Sequence, residues 1–182
     1  PPEALTYALQ VGTEPDGNQI RSGAAPQGRG PVLDTGFVLG NLASGRYYWR
    51  VRAVDKGLLA SEWSSESSFV VDVDKPVVDS LKVQPPVIVP GRRVNVIVNF
   101  RDEPAGMDNS KSPQVSLLLA GGTTELQVEQ VSFRGDLWIG STEVEEPVAG
   151  GTLTVLVRGA ADLNGNTMDP YQTVLAAPIA PG

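Results

Sequence analysis

The chain has 182 residues, 41% of them hydrophobic and 19% charged, with a net charge of −7 and a sequence pI of about 4.6. That is the composition of a folded protein with room for one or two domains, and its acidity would repel a phosphate backbone, so nucleic acid is not an expected partner. Cysteine and histidine are both absent, which excludes disulfides, thiolate nucleophiles, the usual zinc sites and every histidine-dependent triad.

The opening Pro1-Pro2-Glu3 reads like the middle of something longer, so a piece of a larger polypeptide is expected. Neither a basic-then-apolar leader nor an apolar run of membrane-spanning length is visible, and membrane insertion is not expected. Twenty glycines and 15 prolines, spread along the chain, suit many short strands joined by tight turns. No segment holds a helical period for three turns, so the expected class is all-β with little or no helix.

In the first half, strands are predicted at Leu5–Val11, Val32–Leu39, Arg46–Asp55 and Ser67–Val73, with a weaker one at Gln19–Ser22. Pro15-Asp16-Gly17-Asn18 has the residue types of a hairpin turn, and Ser22 to Pro31 reads as a long mobile loop. Along the third of these strands Tyr47, Trp49, Val51 and Ala53 point one way and Tyr48, Arg50, Arg52 and Val54 the other. The stretch Leu42 to Ser64 resembles the last two strands, F and G, of a fibronectin type III domain. The resemblance places Tyr47 at the tyrosine corner, with Leu42 and Gly45 in the preceding turn. It also places Trp63, in Ser61-Glu62-Trp63-Ser64, at the start of the last strand. Nothing before Leu5 supplies strands A and B, so upstream residues or another molecule are expected to complete this sandwich.

After Asp74-Lys75-Pro76 come runs at Val77–Val83, Val94–Arg101, Val115–Leu119, Glu125–Ser132, Leu137–Val144, Thr152–Arg158 and Thr167–Leu175. Seven evenly spaced strands are the count of an immunoglobulin-like sandwich. The turn Asp162-Leu163-Asn164-Gly165-Asn166 resembles the one joining the last two strands of bacterial immunoglobulin-like surface repeats. The expected organisation is therefore two consecutive antiparallel β-sandwiches. A fibronectin type III-like one over 1–74, apparently lacking strands A and B, precedes an immunoglobulin-like one over 75–182.

Four groups of residues are candidates for chemistry. Arg50 and Arg52 are expected to stack on Trp63 as a structural ladder, worth about 0.5–1 kcal/mol when exposed, rather than leave the indole as a sugar platform. Trp138 is expected to be buried by its size, although alternation alone allows either Trp138 or its neighbours Leu137 and Ile139 to face inward. Arg134-Gly135-Asp136 spells an integrin-recognition tripeptide, but a tripeptide carries little information and a plain hairpin turn explains it. In a sandwich of this kind the B–C, D–E and F–G loops share one end, which for the second domain faces the linker. This logic gathers Asp102, Glu103, Asp108 and Asn109 with Asp162, Asn164 and Asn166, beside Asp72 and Asp74 of the linker and Glu14, Asp16 and Asn18 of the first half. Calcium takes six to eight such oxygens. A calcium-stiffened junction, similar in plan to cadherin linkers, is one expectation, set against the fact that turns are made of the same residues.

An enzyme would have to work with carboxylates alone, such as Asp102 with Glu103 or Glu143 with Glu145 and Glu146, and no pocket-forming insertion is visible. Non-catalytic function is expected: a stiff spacer in a secreted or surface-anchored bacterial protein, holding adjacent domains of the same polypeptide, its linker restrained by Pro76. The alternative is a binding module for polysaccharide or a host surface protein, using Trp63, Tyr48, Trp138 or the Arg134–Asp136 turn.

Overall fold

The computed structural model describes residues 5–22, 36–119, 125–145 and 152–176. All regular structure in them is antiparallel β, with no helix among the described residues. The chain divides into two compact units, Pro1–Asp72 and Val73–Gly182.

Unit 1 holds one four-stranded sheet among its described residues. Its strands are β1 (Thr6–Gly12), β2 (Arg21–Ser22), β3 (Gly45–Val54) and β4 (Ser67–Val71), in the order β2-β1-β3-β4. With β1 as strand C and β3 as strand F, this is the C′CFG half of a fibronectin-type sandwich. Direct pairing puts Leu9 opposite Val51, Val11 opposite Trp49 and Tyr47 opposite Phe69. Because partners across a ladder share a face, these form the apolar side, where Val11 is fully buried. The other side carries Arg52 opposite Ala8 and Arg50 opposite Gln10. The period-two pattern of β3 therefore sorted its faces correctly.

The expected tyrosine corner is present. Tyr47 is buried, its hydroxyl donates to the Ala43 carbonyl at 2.9 Å, and its ring stacks on Phe69 at 5.4 Å between centroids. We expect Tyr47→Phe to keep the stack and lose the bond, lowering the stability of unit 1 by about 1 kcal/mol in urea unfolding. An unchanged midpoint would mean that water replaces the hydroxyl without penalty. The strand expected at Val32–Leu39 is corrected in part. Residues 36–39 are irregular, and 32–35 lie outside the described residues, as does all but the first residue of the predicted loop Ser22–Pro31. Gly36 and Gly40 bracket that segment and weaken a strand through backbone entropy.

Unit 2 is a sandwich of two four-stranded sheets. One contains β5 (Val77–Gln84), β6 (Arg92–Arg101), β10 (Leu137–Val144) and β9 (Glu129–Arg134), in the order β5-β6-β10-β9. The other contains β12 (Tyr171–Ala176), β11 (Thr152–Arg158), β7 (Gln114–Leu119) and β8 (Glu125–Gln127), in the order β12-β11-β7-β8. In letters these are ABED and GFC with an added C′, the strand order of immunoglobulin-type sandwiches. The core between them comes from alternate residues: Val94, Val96, Val98 and Phe100 of β6 face Val115 and Leu117 of β7 and Leu153, Val155 and Val157 of β11. Trp138 turns inward and is fully buried, leaving Leu137 at the surface.

Two expected strands need correction. The single run Glu125–Ser132 is two strands in different sheets, parted at Val128. There the side chain is buried and the amide donates to the Val115 carbonyl at 2.9 Å, so the chain crosses from one layer to the other at that residue. The last strand begins at Tyr171 rather than Thr167, because Pro170 has no N–H to give a ladder. Thr167 makes only an isolated bridge to Ala161.

Candidate functional site

On the outer face of unit 1's sheet, the guanidinium carbons of Arg50 and Arg52 lie 5.3 and 4.6 Å from the centroid of Trp63. The indole is fixed by its flanking serines. The Ser61 and Ser64 amides donate to the carbonyls of Ala53 and Val51 at 2.9 and 2.8 Å. In return the Ala53 and Val51 amides donate to the Ser61 and Ser64 hydroxyls at 3.0 and 3.1 Å. The segment thus clips onto β3 as a false strand, with hydroxyls where a partner strand would offer carbonyls. Sequence reasoning missed both serines, and their S-x-x-S spacing around the tryptophan was the available signal. Arg50 is further held by its Nε to Gln10 Oε1 and its Nη1 to Asp16 Oδ1, each at 2.6 Å. Tyr48 and Trp49 are both half-buried, Tyr48 on this outer face and Trp49 on the inner.

At one end of unit 2, the loop after β6 is zipped to the turn before β12. Asp108 N donates to Ala161 O at 2.9 Å and Leu163 N to Gly106 O at 3.0 Å. Asp102 and Asp162 are both buried there, and each has a carboxylate oxygen within 4.8 Å of the other's. Asp102 Oδ2 accepts from Gly106 N at 3.0 Å. Asp162 accepts from Asn166 twice, from N at 2.8 Å and from Nδ2 at 2.6 Å. Asn166 is thus an internal partner of the turn, while Glu103 and Asn164 are exposed. Asp108 has its carboxyl held below the ordinary aspartate range by the Ser110 hydroxyl and amide, with Lys111 adding to the effect. Asp72, at the end of unit 1, is buried and accepts from Ser44 Oγ at 3.4 Å, and Asp74 is exposed.

The turn Arg134-Gly135-Asp136 joins β9 to β10, with all three residues exposed. Gly135 takes φ +54°, and Asn109 staples it from both sides: Gly135 N donates to Asn109 Oδ1 at 2.7 Å, and Asn109 Nδ2 donates to Gly135 O at 2.8 Å. Trp138 is not part of any surface here. Its Nε1 donates to Oε1 of the exposed Gln130 at 2.9 Å.

No protein-family model matches the sequence, and no curated protein matches it. Among solved structures it is similar to the FN1–FN3 domains of chicken CNTN1, at 13% identity and a TM-score of 0.36, over 97% of this chain and 57% of that one. It is similar to the amphioxus IgVJ-C2 molecule at 19% identity and a TM-score of 0.35, over 97% and 91%. It is also similar to BcpA, the major pilin subunit of Bacillus cereus, at 14% identity and a TM-score of 0.27, over 96% and 64%. Likenesses this loose say nothing of function, and the fold class rests on the strand order itself.

Proposed function

We propose that the chain is a non-catalytic spacer, a pair of β-modules in a larger secreted or surface-anchored bacterial protein, presenting the domains that adjoin it. One observation carries this reading: the tryptophans best suited to stack on a sugar are engaged in packing. Trp63 lies under two guanidinium groups and Trp138 has no exposed surface. Affinity electrophoresis of the chain through gels of soluble neutral polysaccharides tests it, with no retardation expected. Saturable retardation that disappears in Trp63→Phe would replace the spacer with a carbohydrate-binding module.

A cation seat within unit 2 is a second reading, favoured by the approach of the buried Asp102 and Asp162 carboxylates. Like charges at that range repel unless something positive lies between them. Calcium is then expected to raise the melting temperature of unit 2 over that in EDTA, and Asp102→Asn to remove the difference. Equal melting temperatures in calcium and EDTA would end this reading.

A further inference from the structure

We propose that the outer face of unit 1's sheet carries an oxyanion site centred on Arg52, fitted to the carboxylate or sulfate groups of an acidic polysaccharide. A guanidinium is flat, and its donors all lie in its plane. Stacking on an indole uses the face and leaves the edge available. Arg50 and Arg52 both lie over Trp63, but their edges differ. That of Arg50 is occupied by Gln10 and Asp16. The side chain of Arg52 has no hydrogen bond or ion pair with any described residue, and its Nε is shut off from water with no acceptor. An oxyanion with two oxygens, laid against the outer Nη edge of the guanidinium, forms a charge-assisted pair there.

The site is also preorganised. The ring beneath Arg52 is clipped to β3 through Ser61 and Ser64, and Ala8, the cross-strand partner of Arg52, is buried. Little side-chain freedom is left for a ligand to remove. The identity of the anion-bearing chain follows from the backbone. β3 is an interior strand, paired to β1 on one side and to β4 and the Ser61–Ser64 segment on the other, so an extended acidic peptide has no main-chain groups to pair with beside Arg52. A polysaccharide needs none. Arg46 lies on the same face six residues back, at about 20 Å along the strand, and offers a repeating anion a second guanidinium. The net charge of −7 opposes any polyanion at long range, so binding is expected only through these contacts and should fade as salt rises.

This inference goes beyond the spacer reading and is tested separately. The whole chain is run by affinity electrophoresis through gels containing polygalacturonate, dextran sulfate or neutral dextran. Retardation is expected in at least one polyanion and not in dextran, and which polyanion retards tells carboxylate from sulfate. Arg52→Gln should weaken the apparent affinity about tenfold, with its circular dichroism and melting temperature showing that the sheet survives. Arg52→Lys, which keeps the charge but not the fork, should fall between. The proposal is overturned if neither polyanion retards the chain, if Arg52→Gln and Arg52→Lys bind as tightly as the parent, or if neutral dextran retards equally. Silence on both polyanions would leave the spacer reading untouched.

Discussion

Replacing Trp138 by alanine is expected to destabilise unit 2 by about 3–5 kcal/mol. The side chain has no exposed surface and belongs to the core formed by β6, β7, β10 and β11. Its removal forfeits the transfer energy of the largest apolar group in the unit and leaves a void that close-packed valines on fixed strands cannot fill. It also removes the donor to Gln130 Oε1, although Ser112 Oγ, at 2.7 Å, still donates to that oxygen. Trp138→Phe separates the two contributions, since it keeps most of the apolar volume and loses the N–H. Its cost should be about 1–2 kcal/mol. Calorimetry of the whole chain checks both, because only the transition belonging to unit 2 should move. An alanine variant melting within 0.5 kcal/mol of the parent, about the scatter of a surface change, would show that the indole is not core.

How legible these features were in the sequence depended on how local their causes are. The tyrosine corner was legible through the fibronectin type III resemblance of Leu42–Ser64, and its bond is local, from the Tyr47 hydroxyl to a carbonyl four residues back. The guanidinium ladder on Trp63 combines the alternation of β3, which puts Arg50 and Arg52 on one face, with the tryptophan position that the fibronectin type III resemblance implies. Across a longer separation the signal fails. Asn109 staples Gly135 from 26 positions away, and nothing in its Asp108-Asn109-Ser110 setting distinguishes it from any polar turn. Ser61 and Ser64 sit among polar loop residues, and only their S-x-x-S spacing around Trp63 marks hydroxyls that replace the carbonyls of an absent strand. The change of layer at Val128 hides inside a run, Glu125–Ser132, that has no glycine or proline to mark a break. At the loop end of unit 2, main-chain hydrogen bonds bring the loop carrying Asp102 and Asp108 against the turn carrying Asp162. Which of them would be buried was not readable, because Asp102 and Asp162 are covered by main-chain contacts between Gly106–Asp108 and Ala161–Leu163.

The orientation of Trp138, left open by a strand apolar at three consecutive positions, is decided two residues on by Gly140. That neighbour supports the second large prediction. A Cβ built on Gly140 would collide with Cη2 of Trp138 and approach Glu129 O and Val128 Cγ1 to 2.8 Å each. The indole therefore lies over the glycine on the inner face of β10, beside the bulge where β9 and β10 slip register between Ile139 and Gly140. Gly140→Ala is expected to cost about 1–3 kcal/mol through overpacking. Side-chain rotation alone cannot relieve it, because one of the obstructing atoms is a backbone oxygen. In the double variant Trp138→Ala, Gly140→Ala the indole is gone and the new methyl occupies part of the void. The combined loss should then fall short of the sum of the single losses by about 0.5 kcal/mol or more. Strict additivity would mean that the methyl is resisted by Glu129 and Val128 alone, and that the glycine answers to the bulge rather than to the tryptophan.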